Sequence, residues 1–316
     1  MAEKKIIAVI GATGAQGGGL VRAILNDPNG GFAVRAITRK KDSDKAKALA
    51  KAGAEVVEAD LDDTASLKKA FAGAHGAFCV TNFWEHFNAD KEQAQARNMA
   101  DAARATGLKH VIWSTLEDVR RWVPLTDKRM PTLGGKWKVP HFDGKGSIDH
   151  VWHDLGVPTT MLLTSFYWEN FIYFGMGPKA GADGTLAISM PMGDRPLSGI
   201  CAGDIGACAY GIFKAGNEYI GKTVGIAGDH VSGKDMASAF SKALGKKVVY
   251  NEMKPEDYRA LGFPGADDLG NMFQFYRDFN EDFVAARPVE KAKKLNPKLS
   301  SFQQWLDAHA KEVPVT

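Results

Sequence analysis

Three glycines spaced as Gly11-Ala-Thr-Gly14-Ala-Gln-Gly17 stand directly after an apolar run at residues 5–10 and directly before a helical stretch carrying Leu20, Val21 and Ile24. A short run that is apolar throughout fits a strand buried on both faces, as in a parallel sheet. Between such a strand and a helix, glycine keeps the turn tight, lets a pyrophosphate approach the backbone and lets the helix pack closely on the strand. The helix start then offers unpaired N–H groups and the positive end of its dipole to an anion. Together these predict a Rossmann-type fold with a dinucleotide seated on the turn Gly11-Ala-Thr-Gly14-Ala-Gln-Gly17.

The strand pattern recurs at residues 32–38, 54–59, 76–81, 110–114 and 159–163, separated by stretches of helical composition at 15–27, 43–52, 64–73, 89–106 and 146–155. In the last stretch Ile148, Val151, Trp152 and Leu155 fall at i, i+3, i+4 and i+7, one apolar helix face. Alternating strands and helices predict an α/β, doubly wound parallel sheet with helices on both faces and the ligand at the carboxyl ends of the strands. Beyond residue 168 the rhythm changes to short strands, turns and separated helices, such as 236–244 and 255–261. We therefore expect a Rossmann domain over 1–168 and a smaller α+β C-terminal domain over 169–316, with some of its strands free to return to the first sheet. Residues 117–140, rich in breakers and poor in periodicity, read as a long loop over the site.

Composition narrows the function classes. With 316 residues, 45% of them hydrophobic and 24% charged, the chain can bury a large core. Its net charge of +3 is spread along the chain, which gives no footprint for nucleic acid. Cys79, Cys201 and Cys208 form no CxxC pair and leave an odd thiol, the usage of a reducing compartment. Neither a signal-peptide pattern nor a run of ~18 apolar residues is present, so no membrane association is expected. The expected location is cytoplasmic, with a nuclear fraction if the source is eukaryotic. His150, His153 and Asp154 lack a further ligand cluster, and no metal is expected.

The end of the second strand decides between dinucleotides, because an acid there accepts from the ribose hydroxyls of NAD and repels a 2′-phosphate. Here it reads Thr38-Arg39-Lys40-Lys41, with no acid before Asp42. Arg39 offers a planar fork and Lys40 a point charge to the phosphate, so NADP(H) is expected over NAD(H). After the third strand, Asp60 and Leu61 are placed either to contact adenine or, for Asp60, to cap the helix beginning near Thr64. After the fourth, Thr81, Asn82 and Phe83 line the path toward the nicotinamide, although the aromatics there equally suit a core.

The glycine turn, Val80-Thr-Asn-Phe-Trp-Glu85, His141-Phe-Asp-Gly-Lys-Gly146, Phe166-Tyr-Trp-Glu-Asn170, Pro255-Glu-Asp-Tyr-Arg-Ala-Leu-Gly-Phe-Pro-Gly265 and Gln304-Trp-Leu306 together resemble the NmrA-like family, closest to its HSCARG-type NADP(H) sensors. The resemblance implies an atypical short-chain dehydrogenase fold in which NADPH binding reports redox state and changes association with a protein partner or a second copy. It implies cofactor contacts at Gly11, Thr13, Gly14, Ala15, Gln16, Arg39, Lys40, Asp60, Leu61, Thr81, Asn82, Lys145 and the stretch Ser165, Phe166 and Tyr167. Relative to those sensors residues 117–140 are longer and richer in Arg and Trp, so partner recognition transfers least.

Short-chain dehydrogenases place Ser at the end of the fifth strand, here Ser114, and a Tyr-xxx-Lys on the next helix, where lysine lowers the pKa of the proton-donating phenol. The tyrosine position reads His141 and the lysine is Lys145. Tyr210-Gly-Ile-Phe-Lys214 lies beyond the sixth strand and is set aside by its place in the topology. The candidate proton donors are therefore Lys145 and His141, with Lys145 better suited to ribose and His141 expected as a loop residue without a defined partner. The alternative to a sensor is an NADPH-dependent reductase of quinones or conjugated carbonyls.

Overall fold

The computed structural model describes residues 3–181 and 183–315. Six strands follow one another as expected: β1 (Lys5–Val9), β2 (Phe32–Thr38), β3 (Glu55–Glu58), β4 (Gly76–Cys79), β5 (His110–Thr115) and β6 (Thr159–Leu163). The crossovers α1 (Ala15–Leu25), α2 (Asp44–Lys51), α3 (Thr64–Phe71) and α4 (Ala89–Thr106) lie within two residues of their expected bounds. Between β5 and β6 the structure corrects the reading. In place of one helix over 146–155 stand two short ones, α5 (Pro140–Gly146) and α6 (His150–Asp154). Pro140 opens α5 at a first-turn position, where a missing N–H costs nothing. The apolar face was read correctly, since Ile148, Val151 and Trp152 are buried.

All these strands run parallel in the order β3-β2-β1-β4-β5-β6, and β11 (Thr223–Gly225) adds itself parallel beside β6. The order reverses between β1 and β4, which opens the crevice where such sheets bind ligands. Alternation along β1 sends Ile7 and Val9 to a core under α1, and Ala8 and Ile10 to a second core with Met99, Trp113 and Trp152.

The rest of the chain holds β7 (Phe166–Tyr167), α7 (Asn170–Tyr173), β8 (Lys179–Ala180), β9 (Leu186–Met190), β10 (Leu197–Ile200), α8 (Ala202–Lys214), β12 (Asp229–Val231), α9 (Gly233–Leu244), β13 (Val248–Glu252), α10 (Pro255–Arg259) and α11 (Ala266–Asp278), with further helices to the end. Two three-stranded sheets, β12-β10-β7 and β13-β9-β8, share a third core of Trp168, Phe171, Phe240, Phe273, Phe302 and Trp305. α8 returns to pack on α1.

Before Pro140 opens α5, residues 117–139 are irregular apart from a 3-10 turn at Val119–Arg121 and an isolated antiparallel bridge between Leu133 and Trp137, yet they are pinned rather than free. The buried Asp143 carboxylate accepts the N–H groups of Val119, Lys138 and Val139 at 2.8, 2.7 and 3.0 Å. Burial pushes this carboxyl up to about 6 against the opposing pull of those three donors. The buried Lys138 ammonium donates to the carbonyls of Asp127 and Met130, each at 2.7 Å. Among the described residues no helix is long and apolar enough to cross a membrane.

Candidate functional site

The glycine turn has the geometry its chemistry requires. Gly11 sits at φ +66°, a left-handed conformation that residues with a β-carbon rarely adopt. A β-carbon at Gly17 would stand 2.4 Å from the Gly11 carbonyl oxygen, so only glycine lets α1 approach β1 this closely. Gly14 precedes α1 as its N-cap and offers no side-chain cap, and the first turn holds no acid, leaving its N–H groups open to an anion. Gly11, Gly14 and Ala15 are exposed, Thr13 and Gln16 are half-buried, and Gly17 is buried. Ser165, after β6, has a buried hydroxyl without a partner among the described residues. These features fit a dinucleotide along the strand ends.

Gln16 turns inward from α1. Its Oε1 accepts from Ser114 Oγ at 2.7 Å and its Nε2 donates to the Tyr167 hydroxyl. Burial pushes the Tyr167 phenol up to about 12, so it stays protonated at neutral pH. Phe166, its neighbour, is buried in the third core.

At the expected adenine end, Arg39 and Lys40 are exposed after β2, and the Arg39 guanidinium pairs with Glu85, which raises its pKa. Glu85 closes the 3-10 turn Phe83–Glu85 that follows β4. The sequence reading missed this acid because it searched only the end of β2 itself. Asp60 does not cap α3. Asp63 does, accepting from Ala65 N–H, while Asp60 Oδ1 accepts from Asp62 N–H at 2.9 Å. Leu61 is half-buried and its carbonyl accepts from Asn98 at 2.8 Å.

At the other end, Thr81 and Phe83 are buried and Asn82 is exposed. Lys145 Nζ lies 2.8 Å from Glu92 Oε1 and donates to the Thr81 carbonyl at 3.2 Å, while Thr81 Oγ1 donates to the same carboxylate oxygen at 2.7 Å. Glu92 is fully buried on α4, its Oε2 unpartnered among the described residues. It too was missed, although a signal exists: Glu92, Ala96, Met99 and Ala103 fall at i, i+4, i+7 and i+11, so the acid sits on the buried stripe. Behind them Asp149 accepts from Trp113 Nε1 at 2.8 Å and Thr115 Oγ1 at 2.7 Å. Burial pushes its carboxyl up to about 7.

His141 requires a correction. It is a helical residue of α5, one turn from Lys145, and its Nδ1 is 2.6 Å from Asp268 Oδ1 on α11, with both side chains buried. The same carboxylate takes the His141 backbone N–H at 3.2 Å. The His141 ring lies 4.8 Å from Trp84 and 5.9 Å from Phe83. By contrast Tyr210 is on α8, where its hydroxyl donates to Asp27 at 2.9 Å, remote from these groups in the sheet.

Residues 3–306 match the NmrA-like family. The chain belongs to that family. The NmrA-like family domain-containing oxidoreductase FrzB of Cladobotryum sp is 31% identical over 307 residues, covering 90% of this chain and 88% of its own. The structure of NmrA, a negative transcriptional regulator, in complex with NADP superposes with a TM-score of 0.78 at 24% identity, covering 97% of this chain and 95% of its own. A complex of NmrA with NAD gives the same values. The NADPH-dependent quinone oxidoreductase of Escherichia coli, complexed with NADPH, has a TM-score of 0.71 at 22% identity, covering 96% of this chain and 99% of that one. These likenesses show the Rossmann-type fold.

Proposed function

We propose that this NmrA-like protein binds NADP(H) in preference to NAD(H) and transmits its occupancy to the C-terminal region, changing self-association or the binding of a protein partner. The observation that carries the reading is one short turn with two duties. Glu85 holds Arg39, while Trp84 beside it packs at a tilt against the His141 ring and lies 3.0 Å from where a β-carbon at Gly265 would stand, just before α11. The Arg39–Glu85 pair is largely exposed, and such pairs contribute only about 0–1 kcal/mol. A bidentate guanidinium–phosphate contact is stronger, so a 2′-phosphate draws Arg39 away and frees the turn that supports the C-terminal segment. A switch of this kind needs differential affinity for the two arrangements, and the competition of phosphate with Glu85 supplies it.

Titration with NADPH and NADH by nucleotide fluorescence tests the preference. The expected outcome is tighter binding of NADPH, loss of most of that preference in Arg39→Glu, and a gain for NADPH of up to roughly fivefold in Glu85→Gln, as expected for removing a pair of that strength. Equal affinity of the natural chain for both nucleotides contradicts the proposal.

A second reading, reduction of a small substrate, is favoured by the buried His141–Asp268 pair in the place of the dehydrogenase phenol, and by the oxidoreductase names of several relatives. When bound, NADPH supplies two electrons and a hydrogen to an electrophilic carbon. His141 then holds a proton at Nε2, Asp268 fixes its ring through Nδ1, and Lys145 lies one turn further along α5 toward Thr81.

A further inference from the structure

Beside His141 opens a cleft of about 570 Å³ whose walls come from residues 83–90, 133–140 and 259–268. Four aromatic side chains line it, Phe83, Phe87, Trp137 and Phe263. Phe87 and Phe263 form a rim that stays 50% and 40% exposed, an unusual display for rings of this size. Phe87 is also the sole non-glycine residue at positive φ, 51°, among the described residues, so the rim is held at a local conformational cost.

Three other observations limit what the cleft accepts. Both basic wall residues are already engaged: Lys136 with the two Asp90 oxygens at 2.7 Å, and Arg259 with Gln274 at 2.8 Å and Asn271 at 3.1 Å. A phosphate or carboxylate would find no unengaged cation there, and two of the three wall carboxylates, Asp90 and Asp268, are likewise engaged, by Lys136 and His141, which together favour an uncharged ligand. His141 is flanked by three of the wall residues, Phe83, Pro140 and Asp268. With Nδ1 committed to Asp268, its Nε2 has no partner among the described residues, and 8% of the side chain remains accessible.

We propose that this cleft seats a neutral, planar aromatic carbonyl compound, its ring between the aromatic walls and its carbonyl oxygen at His141 Nε2. The proposal rests on the reductase reading. Aromatic walls favour flat rings by stacked and edge-on contact, and the volume lies in the range of pockets for small molecules. A dinucleotide bound on the glycine turn would supply a hydride equivalent to the carbonyl carbon. The C=O π pair then moves to oxygen, which takes the proton from His141 Nε2; the carbonyl becomes an alcohol and NADPH becomes NADP⁺. Water at the cleft mouth returns a proton to the imidazole. Asp268 is a positioning residue in this step.

Calorimetric titration of NADP⁺-saturated protein with 2-acetylnaphthalene separates binding from turnover, and NADPH consumption with the same ketone follows in parallel. The expected result is one-to-one binding, weakened about tenfold in His141→Phe, the loss of one hydrogen bond. Phe263→Ala, on the exposed rim where folding is not at stake, weakens it roughly threefold or more through lost ring contact. NADPH consumption disappears in His141→Phe while NADPH still binds. Absence of binding heat, or unchanged affinity in both variants, overturns the assignment of the cleft. If NADPH is then still consumed, the reductase reading stands with its substrate elsewhere. Binding that follows the variants without any consumption overturns the proton role and the reductase reading, and keeps the cleft as a ligand site.

Discussion

Asp149 shows what a single buried side chain does to this protein. Its carboxyl accepts from Trp113 and Thr115, yet burial still holds it up at about 7. An aspartate in the unfolded chain ionises near pH ~3.9. Between those values the unfolded state releases a proton that the folded state keeps, so this group costs stability progressively as pH rises from about 4 to about 7. Asp149→Asn preserves an acceptor for both donors and removes the titration. Urea unfolding at pH 5.5 and 8 is expected to show the natural chain losing about 2 kcal/mol more than the variant; equal losses contradict it. Residues at a fixed offset from a strand end or turn were legible in the sequence as candidates: Gly11, Gly17, Arg39, Thr81 and Lys145, whereas His141 was read as a loop residue, not as a helical one. Their partners Glu85, Glu92 and Asp268 were not, because each comes from a separate element and meets its partner only through tertiary packing.

Among the elements, α1 and α8 bring their backbones into close contact. A β-carbon at Gly206 would stand 2.0 Å from the Leu20 backbone nitrogen, and one at Gly19 would stand 2.4 Å from the Gly203 carbonyl oxygen. Backbone gives way less readily than a flexible side chain, so Gly206→Ala is expected to destabilise by about 3 kcal/mol, at the upper end for overpacking. The urea midpoint checks this, and a cost below ~1 kcal/mol contradicts it. The strands and the first four helices were legible because their apolar runs and periodicities are local. The division of residues 140–154 into α5 and α6 was not, since α5 is held by Asp143, Lys145 and His141 through contacts to three distant segments. Gly19 and Gly206 gave no readable sign either, as each is explained only by the helix opposite.

At the scale of the whole molecule, the α/β class and the NmrA-like resemblance were readable from motifs alone, whereas the route between the nucleotide crevice and the C-terminal region was not. That route runs from Arg39 through Glu85 and Trp84 to His141 and the segment before α11. Residues 117–140, expected to be a loop over the site, are anchored by Asp143, Lys138 and Asn271, so little of the response is assigned to them. The decisive measurement is amide hydrogen exchange with and without saturating NADPH. The mechanism predicts altered exchange in residues 11–17, in 83–90 and in 262–268, with 117–140 nearly unchanged and the response at 83–90 absent in Glu85→Gln. A change confined to residues 11–17 would mean that the nucleotide binds without being reported to the C-terminal region, and would contradict it.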